Sequence, residues 1–432
     1  MRTWVLPILS VIACGDNAIA PFPGDKPEPP SDGNDPAFAL HVGAWFLVGD
    51  TLTPGQDTMT ISVQVANPTG VIDAWVADLP PIRLAKQDDG TFAGDVSIER
   101  LGPGAYTVLT SADGSDQAFA EAPFNRSAPY YLMVSTDYDF SDPGDNAIAV
   151  MDNLHVEHPG MRITHFWAPY TYTDPVVSPA RQDQLTAWIL GERATYGDEI
   201  GLHIHPYCNF VEDAGVTCIT DQSTVYPAGD TTGYTIMLGA YGHDNMNVLL
   251  DHAAALFVAR GLGTPNVFRA GGWTATADTF AALADHHYIA DSSALNWERI
   301  EEWKGYVLYD WTMEHWAPID DTSQPWWPNQ TDILANTVPR LPLLEVPDNG
   351  VMIDYVSLKE MNGIFDANWN GAPLSAPVTL MMGFHPATQF SPGELKTVDG
   401  FLKYADKHLA SGHLGPVVYT TLGDMTAVFP NQ

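Results

Sequence analysis

The sequence predicts an α/β protein, a parallel-stranded (β/α) barrel behind a small all-β domain. Three observations predict it. From Pro129 onward, short apolar runs alternate with amphipathic segments of helical length, the rhythm of repeated strand–helix units. From Phe38 to about Pro123, alternating polar and apolar runs are separated by Gly- and Asp-rich turns, with no helical segment between them. Several apolar runs of the second part also end in Asp, His or Arg, and a barrel of this class builds its chemistry at its strand ends.

The first 14 residues read as an export signal. Met1-Arg2 is a positive start, Trp4 to Ile12 is apolar, and Val11-Ile-Ala-Cys14 is similar to a lipoprotein lipobox. The apolar run is too short to span a bilayer. Lipidation at Cys14 would therefore be the one membrane contact, at the periplasmic or outer face of a cell envelope. An ordinary secretory signal with a chance cysteine is the alternative. Residues 15–37, rich in Pro, Gly and Asp, read as a tether. The remaining two of the 3 cysteines, Cys208 and Cys218, are expected to pair in an oxidising compartment.

Residues 38–125 carry the strand signals. Thr58–Val65 alternates strictly, and further runs follow at Ile82–Ala85, Phe92–Ile98 and Tyr106–Ser111. Asp88-Asp-Gly90, Gly102-Pro-Gly104 and Asp113-Gly114 are the turns. The spacing suits an immunoglobulin-like sandwich. No catalytic residue types cluster there, so a spacer or interaction module is expected.

In residues 129–432, strands are expected at Tyr131–Ser135, Arg162–Ala168, Asp198–His205, Asn266–Arg269, Ile289–Ser292, Val378–Phe384 and Val417–Thr421. Helices are expected at Ile148–His155, Pro179–Tyr196 with Leu185, Trp188 and Ile189 on one face, Asn245–Arg260, Ala277–His286 and Pro392–Leu409. Phe210–Leu238 and Gly305–Gly371 interrupt the rhythm and read as lid or substrate loops.

Charge limits the partners. With 53 acidic against 18 basic residues and a net charge of −35, nucleic acid and anionic membranes are excluded as binding surfaces. The 13 Trp and 17 Tyr offer faces for sugar rings as well as core packing.

The run from Tyr130 ends at Asp137 and Asp139. Residues two apart share a face of a strand. Two carboxylates so placed call for a cation or a shared proton. Taken alone they fit an Asp-rich turn better. Later strands end in His203 and His205, in Arg269, in Asp291, and in His385. An acid pair, histidines and an arginine at successive strand ends exceed chance placement.

From about Pro129 to its end, the chain resembles the polysaccharide deacetylases (carbohydrate esterase family 4, NodB-like). Asp137-Tyr-Asp139, Glu199-Ile-Gly-Leu-His203, Phe268-Arg-Ala-Gly-Gly-Trp273 and Phe384-His385 carry the resemblance, in the family's order. It implies a distorted barrel that removes acetyl groups from an N- or O-acetylated polysaccharide. It implies a divalent metal, zinc above all, on Asp139, His203 and a second histidine. It makes Asp137 the base, Arg269 its anchor, His385 the acid and Asp291 the group that orients His385. Trp273 and Tyr207 are expected against the sugar. The departure is in the second motif. The family pattern is His-x-x-x-His, but the fourth residue after His203 is Tyr207, so His205 stands in. A glycan-binding barrel without turnover is the rival class. His165, His243 and His315 have no partner at motif spacing.

Overall fold

The structure is a computed structural model that describes residues 26–31, 33–66, 70–220, 237–386 and 392–431. The lipobox with Cys14, the export signal and the first part of the tether lie outside the described residues. The chain divides into two compact units, one of Met1–Val42, Thr60–Val96 and Thr107–Pro123, the other of Gly43–Met59, Ser97–Tyr106 and Phe124–Gln432.

The first unit is built of antiparallel strands. β1 (Phe38–His41) pairs with β3 (Thr58–Val65). β2 (Trp45–Leu47) belongs to the second unit. β4 (Ile72–Val76) pairs with β5 (Ile82–Lys86) and β7 (Gly104–Ala112), and β5 pairs with β6 (Phe92–Ser97). β3 falls where its alternation predicted. Ile61 and Val63 are buried while Thr60 and Gln64 face water, so one face of the strand builds core. β8 (Ala120–Ser127) ends this stretch.

The second unit holds a curled parallel sheet. Its strands are β9 (Tyr130–Asp137), β10 (Ile163–Trp167), β11 (Glu199–Ile204), β12 (Val267–Ala270), β13 (Ala290–Asp291), β14 (Leu344–Glu345), β15 (Val378–Phe384) and β16 (Val417–Thr420). Their order is β14-β13-β12-β11-β10-β9-β15, with β16 also on β9. Beyond β14 the chain returns to β15. The amides of Gly350 and Ile353 donate to the carbonyls of Met381 and Gly383, which ties the two ends of the sheet together. β9 is buried at all its positions, so it reads as one apolar run without alternation, as a strand covered on both faces must.

The helices are α1 (Asp145–Glu157), α2 (Pro179–Tyr196), α3 (Cys208–Asp213), α4 (Gly242–Ala259), α5 (Ala277–Asp285), α6 (Val307–His315), α7 (Leu358–Asn368), α8 (Pro392–Ala405) and α9 (Met425–Val428). Local chemistry sets their ends. Ser178 caps α2 by accepting from the Arg181 amide, Pro179 opens it, and Gly197 closes it at φ 77°. Capping boxes at Thr276–Thr279 and Ser357–Glu360 start α5 and α7. Leu185 and Ile189 of α2 are buried, each worth about 1.5–3 kcal/mol. Trp188 is only partly buried against the same core.

The stretch 305–371, read from the sequence as irregular, contains α6, β14 and α7. β14 has 2 residues, too few for any periodicity to show. Cys208 and Cys218 form a disulfide with Cα atoms 5.2 Å apart, which staples α3 and typically adds about 2–4 kcal/mol. Among the described residues, no helix is long and apolar enough to cross a membrane.

Candidate active site

Strand register assembles the site. β11 pairs with β12 so that His203 lies beside Arg269, and β9 pairs with β10 so that Asp137 lies beside Phe166. Asp139, just past the end of β9, meets three imidazoles. Its Oδ1 is 3.3 Å from Nε2 of His203 and 3.2 Å from Nε2 of His205. Its Oδ2 is 3.6 Å from Nε2 of His385. The ligand-type atoms of Asp139, His203 and His205 all lie within 4.8 Å of one another.

This trio fits a metal ion on its own geometry. Nδ1 of His203 is 2.9 Å from the Arg269 carbonyl, which can only accept, so Nδ1 carries the proton. Nε2 is left with a lone pair turned toward a carboxylate oxygen, an arrangement that asks for a cation. Separations of 3.2 and 3.3 Å suit neighbouring ligands of a tetrahedral ion, which sit about 3.3 Å apart for bonds of about 2.0–2.1 Å. Burial pushes the Asp139 carboxyl up, but His385, His205 and His203 outweigh it and hold it well below the usual range. Burial also pushes the His205 imidazole down, against the pull of Asp139, which favours the neutral form that binds metals.

Two small features let His205 replace the expected second histidine. β11 runs to Ile204 and Pro206 turns the chain only afterwards, so His203 and His205 remain on one side. Gly271 makes room for the ring, since a Cβ there would sit 2.6 Å from Nδ1 of His205. Tyr207 is no ligand but a brace. Its hydroxyl donates to the Asp139 carbonyl at 2.9 Å and its ring packs 4.6 Å from Tyr170, which steadies the turn that presents Asp139.

Arg269 is fully buried. Its Nη1 donates to Asp137 at 2.9 Å and to Ser135 Oγ at 3.0 Å. Its Nε and Nη2 donate to the carbonyl and Oγ of Ser292, and the guanidinium lies 4.4 Å from the Phe166 ring. A planar fork held at so many points leaves Asp137 one orientation. Asp348 lies 3.6 Å from Nη2 on the other side. Burial raises its carboxyl, with Arg269 opposing.

Two expectations are corrected by these contacts. Asp291 does not orient His385. Its oxygens accept from the amide and Oγ of Ser293, both at 3.0 Å, and its strand register places it beside Glu345. Burial pushes its carboxyl up to about 6. The residue that orients His385 is Asp354, whose Oδ2 is 2.5 Å from Nδ1. Burial acts against the His385 imidazolium, but Asp354, Asp139 and Asp137 push its pKa up to about 10. Trp273 is not open to a sugar. It is 2% exposed, its indole N–H donates to Asp348, and Trp303 and Tyr355 flank it. A turn at Gly271–Trp273 folds the indole inward. Tyr207, by contrast, is half-buried and lines a cavity with Phe140, Asp142 and Val177, while its hydroxyl donates to the Asp139 carbonyl.

Asp354 and Asp348 escaped the sequence reading. Both close apolar runs, Val351-Met-Ile-Asp354 and Leu343-Leu-Glu-Val-Pro-Asp348, the same signal read at Asp137. They lie in the stretch taken as irregular. His243 pairs with Asp285, and His315 stacks on Trp311, as packed or solvated groups.

No family model and no curated protein matches the chain. Solved structures that align with it include proteins described as polysaccharide deacetylases and family 4 carbohydrate esterases, and also an allantoinase and a 4-alpha-glucanotransferase. One is from Mycobacterium smegmatis and described as a polysaccharide deacetylase. It is 13% identical over 69% of this chain and 88% of its own, with a TM-score of 0.40. A family 4 carbohydrate esterase from Streptomyces lividans is 10% identical over 70% of this chain and 96% of its own, at 0.35. A structure from Parabacteroides distasonis described as a glycoside hydrolase/deacetylase is 9% identical over 69% and 70%, at 0.44.

Proposed function

We propose that the chain is a metal-dependent deacetylase of an N- or O-acetylated polysaccharide, on a distorted (β/α) barrel of the polysaccharide deacetylase type. The observation that carries this is Asp137, clamped by a buried Arg269, beside the Asp139–His203–His205 trio with His385 across it. A pure binder has no use for a carboxylate clamped in one orientation by a guanidinium.

Asp139, His203 and His205 would hold the cation, zinc by preference for this ligand set; when bound it supplies a Lewis acid that acidifies water and polarises the acyl carbonyl. The protein's own groups move the protons. Asp137 takes one from the attacking water, and Arg269 holds that carboxylate in line for it. The acyl C–N or C–O bond breaks, acetate leaves, and His385 gives its Nε2 proton to the departing amine or alkoxide. Asp354 holds Nδ1 of that ring, so the transferable proton sits on the nitrogen nearer Asp139.

Acetate release from acetylated glycans by the metal-loaded protein tests the reading. Asp137→Asn should keep its metal and lose release; unchanged release would sink the mechanism. The β-module in front is proposed as an immunoglobulin-like spacer, and residues 1–14 as a lipoprotein signal. Cys14→Ser should then free the protein from membranes, and continued membrane association would refute the anchor.

A further inference from the structure

The same sheet carries a second cluster of ligand-type side chains on its other face. In β10, Phe166 lies against Arg269, so His165 beside it points the opposite way. There Nε2 of His155 (α1), Oε2 of Glu192 (α2) and Oδ2 of Asp198 (just before β11) lie within 4.8 Å of one another. His155 Nε2 is 2.9 Å from Asp198 Oδ2 and 3.6 Å from Glu192 Oε2. The geometry is held from outside. Asp198 Oδ1 accepts from the Ile163 amide at 2.9 Å, and His165 Nε2 is 3.0 Å from Oδ2. The His155 ring stacks on Tyr196 at 3.9 Å.

Glu192 Oε2 is the telling atom. The residue is 6% exposed, and this oxygen is buried with no hydrogen-bond partner among the described residues. A contact of 3.6 Å to His155 is too long to count as a hydrogen bond. The ion partners of the two carboxylates among the described residues are histidines, without Lys or Arg. Two buried carboxylates meet two imidazoles there, and both histidines direct Nε2 at Asp198, so Glu192 Oε2 is left without a donor at a place a cation would fill. We propose that His155, Glu192 and Asp198 form a second divalent-cation site, a structural one, in which His165 and the Ile163 amide position Asp198. One imidazole and two carboxylates suit Zn2+ or Mn2+. The site is sealed and joins α1, α2 and β11, so the ion would act on stability, whatever reaction the other face performs.

The test uses the full chain, stripped with EDTA and reloaded with Zn2+ or Mn2+ alone. Asp139→Ala, which disables the first trio, should retain about one equivalent of metal where the unaltered protein takes about two. Adding Glu192→Gln should remove that equivalent and the metal-dependent rise in melting temperature. A folded Asp139→Ala protein that takes up neither ion overturns the proposal, as does metal uptake indifferent to Glu192→Gln. If Glu192→Gln does not fold, anomalous diffraction at the zinc edge from crystals of the unaltered protein decides. A peak between His155 and Asp198 supports the site, and a single peak at Asp139 overturns it.

Discussion

The two faces of one parallel sheet carry similar side chains in different settings. On the inner face, Asp139 and His385 remain 16% and 17% exposed. The ion pairs Arg269–Asp137 and Asp354–His385 belong to the same face. On the outer face, the side chains of His155, Glu192 and Asp198 are at most 8% exposed, and among the described residues no guanidinium pairs with them. Ligand types alone therefore do not separate a catalytic centre from a structural one. An open edge and positioned proton carriers do, because a substrate must reach the ion and a proton must arrive and leave.

The comparison can be broken by substitution, beginning with the largest effect. Asp139→Ala or His203→Ala should cut acetate release on the order of a thousandfold, the worth of several kcal/mol of Lewis-acid assistance. Metal analysis of the same samples separates lost metal from lost fold. Asp137→Asn should cost about a hundred- to ten-thousandfold with the metal retained.

Asp354→Asn should cost less, about tenfold or more, and should also move the pH profile. Asp354 helps to raise the His385 pKa, so its removal should bring the alkaline fall in kcat to lower pH. A profile left in place would return Asp354 to a packing role. On the outer face, Glu192→Gln should leave acetate release within about twofold, since it touches none of the reacting groups, and should lower the melting temperature only in the presence of Zn2+. A large loss of release would erase the division of labour between the faces.

The smallest effect expected is a pH dependence of stability. Burial raises both Asp291, to about 6 from 3.8, and Glu345, whose neighbour Asp291 adds to the shift. The folded chain keeps protons that the unfolded chain has released. Their contribution is complete below the unfolded carboxylate pKa values and is lost as pH rises through about 6. Glu345→Gln should flatten chemical denaturation midpoints between about pH 4 and 6.5. An unchanged slope would show that the pair does not share a proton.

The sequence by itself determined the long elements and the strand ends. α2, β3 and β15 have the bounds their patterns predict, because cap chemistry and apolar periodicity are written in neighbouring residues. Asp137, Asp139, His203, His205, Arg269 and His385 were legible because each closes or follows an apolar run, and the structure gathers them on one face. What only the tertiary structure decided is who touches whom. Asp354 took the place expected of Asp291, since β13 is 2 residues long and its register faces Asp291 toward Glu345. Trp273 turned into the core because Asp348, 75 residues on, accepts its N–H. His165, His155, Glu192 and Asp198 meet only through the packing of α1 and α2 on the sheet. Hydrogen bonds and charge pairs act across a few ångströms of space. Residues tens of positions apart in the chain carry no local pattern that announces such a meeting.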